Sequence, residues 1–141
     1  MAFWLLVERL ENWETDEREG FHRFGLPESK AALAAQIKTG DLLIFYVSSG
    51  ISRFSDIREA VADGTRKLLH GGDYDTAFPI MLSTRPQLTL SRLSWVPIKP
   101  LIGGLSFTKG TSDWRQLMRT SLRHLNEADA RLIINAMRKN A

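Results

Sequence analysis

The chain has 141 residues, 43% of them hydrophobic and 25% charged, a balance typical of globular proteins and a length that suits one domain burying about two-thirds of its unfolded surface. It contains no cysteine, which excludes disulfides, thiol catalysis and cysteine-bound zinc. The net charge of +3 is unevenly spread: residues 1–90 hold 10 basic and 13 acidic groups, residues 91–141 hold 9 and 3, so the C-terminal third is the side expected to meet phosphate.

Ala2–Val7 is a continuous apolar run and reads as a buried strand; it is too short for a signal peptide or a membrane span. A cytoplasmic protein with no membrane partner is the expectation. From Glu8 to Gly25 the chain is polar and acid-rich yet carries Trp13, Phe21 and Phe24. Its apolar spacing fits neither a helix nor a strand period, so it reads as a loop whose rings either lid a core or line a pocket for a planar ligand. Pattern alone leaves Trp13 and Phe24 open between the two; Trp4 reads as core and Trp95 as core or barrel rim.

Ser29 is placed as the N-cap of a helix over Lys30–Lys38, ended by Thr39-Gly40-Asp41. Leu42–Val47 is the strongest strand, turning at Ser48-Ser49-Gly50 into an antiparallel partner over Ile51–Ile57. Residues 62–76 read as a loop. Phe78–Ser83, Gln87–Leu90 and Leu93–Ile98 read as three further strands, Arg85-Pro86 separating the first two. From Thr111 the period turns helical: Trp114, Leu117, Met118, Leu122 and Leu125 form one stripe, and Arg115, Arg119 and Arg123 another. Asn126 caps a last helix with Glu127 and Asp129 in its first turn and Arg138-Lys139 in its last. The expected fold is α+β, with five or six mostly antiparallel strands and two or three helices over residues 1–141.

Catalytic patterns are poorly represented. His22, His70 and His124 match no metal spacing, and His70, Asp73 and Asp75 fall in a Gly-Asp-rich loop without the pattern of a calcium hand. Gly104-Leu-Ser106-Phe-Thr108 misses the second glycine of a nucleophile elbow. Asp56 and Glu59, three apart, are solvated if residues Ser55–Val61 form a helical surface turn, which the spacing of Ile57 and Val61 equally allows. No metal or cofactor is expected, and a catalytic role is the less favoured one. Binding features are better represented: Trp13, Phe21, Phe24 and Trp114 offer planar faces, Asn12 and Ser48 offer groups that read a base edge, and Arg119 and Arg123 reach for phosphate.

Five motifs in order carry a resemblance over nearly the whole chain. They are Phe3-Trp4-Leu5, Glu11-Asn12-Trp13, Phe24-Gly25, Gly40-Asp41 leading into Ile44-Phe45-Tyr46-Val47, and a tail with Trp114, Met118-Arg119 and Leu125-Asn126-Glu127-Ala128-Asp129. Together they resemble the EVE domain. The resemblance implies a PUA-like β-barrel with flanking helices, related to the YTH domain, whose members flip a methylated adenine of RNA into an aromatic cage. It implies a non-catalytic module for a modified nucleobase in DNA or RNA, or a nucleoside-like ligand. By position the ligand-binding residues are Asn12, Trp13, Phe24, Ser48, Trp114 and Arg119, with Trp13 and Phe24 sandwiching the base. Phe24 stands where family members often have Trp, and Arg53 and Thr120 where many have a small residue. The alternatives are an ASCH-type amidohydrolase, whose Gly-x-Lys-x-x-Glu-x-Arg signature is absent, and a protein- or metabolite-binding domain.

Overall fold

A computed structural model of the chain describes residues 1–67 and 77–141. Among the described residues the strands are β1 (Phe3–Glu8), β2 (Arg23–Leu26), β3 (Leu42–Val47), β4 (Arg53–Ala60), β5 (Arg66–Lys67), β6 (Ile80–Thr89), β7 (Val96–Pro97) and β8 (Leu122–Leu125). The helices described are α1 (Leu10–Arg18), α2 (Ala31–Ala34), α3 (Trp114–Leu117) and α4 (Glu127–Asn140). The main strands order as β2-β6-β4-β3-β1-β8, with β5 against β6 and β7 against β4. Among these strands β1 and β3 run parallel and the other neighbours pair antiparallel. The fold is α+β, as expected.

Side-chain alternation along the strands splits the interior in two. Phe3, Leu5 and Val7 of β1 join Ile44 and Tyr46 of β3 in one core, closed by Ile133, Ile134 and Met137 of α4. Trp4 and Leu6 join Leu43 and Phe45 in the other, closed by Phe24, Ala34 and Ile37. Asn126 does cap α4: its side chain accepts the Asp129 backbone N–H at 2.8 Å. The Gly40-Asp41 motif also has a mechanism. Gly40 takes φ +90°, and the Asp41 carboxylate accepts from Ala2 N, Trp4 Nε1 and Lys38 N at 2.9–3.0 Å. Burial alone would raise the Asp41 pKa, but these donors outweigh it and hold it below the usual carboxylate range.

Several expectations are corrected. The stretch after β1 is a helix, α1, because Asp16 belongs to its buried face with Trp13, so counting apolar residues alone hides the period. The helix placed over Lys30–Lys38 shortens to a 3-10 turn at Glu28–Lys30 and four residues of α2, and Ser29 caps nothing. Residues 80–89 form one strand through Pro86, which lies opposite Arg58 at a register shift that relieves the missing N–H. The stripe Trp114 to Leu125 is also broken. Leu122 and Leu125 lie on β8 and, three apart on a strand, point into opposite cores. Arg123 therefore leaves the face of Arg115 and Arg119, and sits over Phe107.

Candidate functional site

The centre of the molecule is charged. Arg58 of β4 is fully buried. Its Nε donates to Asp56 at 2.6 Å, Nη1 to Asp16 at 3.0 Å and Nη2 to Glu8 at 3.2 Å. The guanidinium also lies 3.5 Å from the Phe45 ring centroid and 4.7 Å from that of Phe21. Burial disfavours its charge, but the carboxylates of Asp56, Glu8 and Asp16 outweigh burial and raise its pKa. Three acids against one base leave an excess of negative charge. Burial, reinforced by the neighbouring Asp16 carboxylate, pushes the Glu8 pKa well up; burial raises that of Asp16 too. Among the described residues Glu8 Oε1 meets no donor, and a proton held on Glu8 toward Asp16 satisfies both groups. The segment of Asp56 is a strand and not a surface turn, and Asp56 is wholly buried.

This cluster fixes α1. Asp16 binds Arg58, and Trp13 Nε1 donates to Asp56 Oδ1 at 2.9 Å. With both attachments made, Asn12 borders a cavity of about 280 Å³. Phe24, Gly25 and Leu26 of β2 form one wall, and Phe78 adds a second ring. Glu8 and Arg9 at the end of β1, Ser48 and Ser49 after β3, and Arg119 after α3 close the rest. The volume sits just under the roughly 300–1,000 Å³ of drug-sized sites, a scale for one planar ring system. Ser48 Oγ donates to the Glu8 carbonyl at 3.2 Å, which orients the hydroxyl. The turn that carries Ser48 is strained: Ser49 and Ser52 hold φ +59° and +54° around Gly50 at +88°, a conformation non-glycine residues adopt at some cost.

Asn12, Phe24, Ser48 and Arg119 thus meet at one cavity. Trp114 borders an adjoining hollow of about 370 Å³, which shares Ser48, Ser49 and Arg119 with the first. Trp13 does not join them. It is 4% exposed and packs on Phe21 and Trp95, with centroids 5.6 and 4.8 Å away. Its outer edge meets a separate opening beside Glu14, Glu17 and Arg92. Trp13 and Phe24 lie in different cores, so they cannot sandwich one base; the Asp56 hydrogen bond is what holds Trp13 away. Sequence reasoning also missed Glu8, Asp16 and Arg58. A charged residue alternating into a buried strand, Arg58 after Ile57, was the available signal.

The Ser106 hydroxyl donates to Asp129 and accepts from Asn126, clamping the loop to the start of α4. His70, Asp73 and Asp75 lie outside the described residues. Among the described residues no helix is long and apolar enough to cross a membrane.

Comparison with known proteins gives three findings. A profile of the EVE domain matches residues 2–136. A UPF0310 protein of Pyrococcus abyssi is 28% identical, covering 94% of this chain and 97% of its own; one of Mesorhizobium japonicum is 28% identical, covering 96% and 91%. Among solved structures, the YTH domain of Zygosaccharomyces rouxii MRB1 in complex with N6-methyladenosine RNA superposes with a TM-score of 0.70 at 12% identity, over 96% of this chain and 86% of that one. Rpa0253 of Rhodopseudomonas palustris superposes at 0.69 and 12%, over 99% and 94%.

Proposed function

Because the chain belongs to the EVE domain family, we propose that its cavity binds one modified nucleobase of a nucleic acid, without catalysis. The observation that carries this reading is the meeting of Asn12, Phe24, Ser48 and Arg119, from four separate segments, around one ring-sized cavity. Phe24 supplies an apolar aromatic wall, the Asn12 amide offers a donor and an acceptor to a base edge, and the Ser48 oxygen keeps lone pairs for an N–H. Arg119, exposed at the mouth, meets the flanking phosphate. Trp114 contributes through the adjoining hollow. Trp13 acts at one remove, as the anchor of the helix that carries Asn12. The similarity of fold to a YTH domain solved with N6-methyladenosine RNA supports the ligand class.

The test is a panel of oligonucleotides identical except for one modified base, with affinity measured for the wild type and for Asn12→Ala. The reading predicts a preference for at least one modification, which Asn12→Ala reduces by about 1–3 kcal/mol, the worth of a hydrogen bond left unmade in a buried site. Arg119→Ala weakens modified and plain strands alike. A wild type with no preference across the panel refutes the reading.

A further inference from the structure

The cavity is one end of a longer depression. The adjoining hollow shares Gly50, Ser52, Trp114 and Arg115 with a third, of about 330 Å³, that ends at Arg53 and Lys99. Among the described residues, no acidic one lines either extension. Four cations therefore follow one another away from the base cavity: Arg119, Arg115, Arg53 and Lys99. None makes an ion pair among the described residues. Some other surface cations are paired with acids. Arg9 pairs with Glu11, Arg85 with Glu59 and Arg92 with Glu14. Exposed cations along a trough without countercharge raise the local concentration of anions.

Three of the four are already oriented by neutral partners. Arg119 donates to Gln116 Oε1 at 3.2 Å, Arg115 lies 4.6 Å from the Trp114 ring centroid, and Arg53 donates to the Trp95 carbonyl at 3.1 Å. Such contacts hold a guanidinium in place without neutralising it, so less side-chain freedom is lost when an anion arrives. The spacing of the hollows supplies a direction. The base cavity opens on one side of the 48–52 turn, and the cations continue across that turn to the start of β4 and the segment after β7.

We propose that the ligand is a base within a single-stranded nucleic acid, whose sugar-phosphate chain crosses the 48–52 turn and runs along Arg119 and Arg115 to Arg53 and Lys99. This deepens the base-binding reading and rests on it for the position of the flipped base. It makes the free nucleoside a poor ligand and gives Arg53 and Lys99, remote from the base, a share of the affinity. Arg123, over Phe107 on β8, has no part in the path.

The experiment needs no knowledge of the modification. Fluorescence anisotropy is measured with a labelled oligouridylate of about 12 nucleotides, inside the roughly 4–16 nucleotides that single-strand sites cover. Uridine monophosphate serves as the short competitor, and the wild type is compared with Arg53→Gln/Lys99→Gln over a salt series. Both side chains are exposed, so the double variant folds, which a thermal melt verifies. The expected result is a severalfold weaker grip on the oligonucleotide, unchanged competition by the monophosphate, and a log–log salt slope shallower by about 1.4, at about 0.7 per single-strand phosphate contact. An Arg123→Gln control leaves all three unchanged. The strand path is overturned if the double variant matches the wild type in affinity and slope, or if the wild type holds the oligonucleotide no better than the monophosphate. The base-binding reading fails separately, on the modified panel: a protein without base preference whose plain-strand affinity still depends on Arg53 and Lys99 keeps the path and loses the reader.

Discussion

Arg58→Met tests the charged centre most directly. Met approximates the length of the side chain and keeps contact with Phe45 and Phe21, while three carboxylates that stood 2.6–3.2 Å from the guanidinium lose it. Removing one partner of a buried ion pair costs about 3–5 kcal/mol, because the other charge remains buried and uncompensated. Against a typical total of about 5–15 kcal/mol, that loss leaves the protein marginal at neutral pH. The cost depends on pH with a definite sign. Without Arg58 the buried acids take up protons more readily, so the folded variant binds more protons than the unfolded chain, and its stability falls as pH rises. Urea denaturation followed by tryptophan fluorescence at acid, neutral and mildly alkaline pH measures this. The gap between wild type and variant widens with pH. A loss under about 1 kcal/mol at neutral pH, or a gap that does not change with pH, refutes the account.

Glu8→Gln is the complementary perturbation. The folded-state pKa of Glu8 is raised, so its contribution to stability is fully present below the unfolded value, about 4.3, and is lost as pH rises through the folded value. A glutamine reproduces the protonated acid at every pH. The variant equals the wild type in acid and matches or exceeds it above neutrality; a variant that is less stable at alkaline pH sinks the shared-proton assignment.

Trp13→Phe removes the indole donor to Asp56 while leaving a ring between Phe21 and Trp95, and costs about 1–3 kcal/mol of stability; discrimination between modified and plain strands weakens together with stability as the helix carrying Asn12 loosens, and lost discrimination at full stability would return Trp13 to the ligand. Asn126→Ala deletes the cap of α4 and lowers stability by about 1 kcal/mol in thermal unfolding, with no effect on strand affinity. Asp41→Ala strands three donors, Ala2 N, Trp4 Nε1 and Lys38 N, and lowers the urea midpoint by more than the Asn126 variant does.

What could be read from the sequence follows the physics of each segment. β1 and β3 were legible because they are unbroken apolar runs, and α4 because its cap, charges and periodicity agree. The segment after β1 was not, because its helix buries an aspartate whose partner, Arg58, lies 42 residues away. No local pattern reports a charge that is satisfied at that distance. β8 was misread for a related reason: leucines three apart fit a helix stripe equally well as a strand that serves two cores, and only the second core decides. Four of the six residues expected to bind ligand, Asn12, Phe24, Ser48 and Arg119, border one cavity. Trp13 was misplaced because an aromatic ring in a polar stretch looks alike whether it faces a ligand or donates to a buried carboxylate.

The buried cluster also bears on why the cavity has its shape. A helix held to a sheet by an apolar stripe tolerates rotation about its axis, since dispersion contacts are non-directional and reform after a small slip. α1 has little such stripe. It is held instead by two directional contacts three residues apart, Trp13 to Asp56 and Asp16 to Arg58, both of which lapse if the helix turns by a few tens of degrees. Asn12, adjacent to the first contact, inherits that fixed rotation and with it its place at the cavity. A hydrophobic replacement of the cluster can match its stability, but it does not specify where Asn12 sits. The charged centre therefore acts on the site through geometry, at residues that a search for ligand contacts passes over.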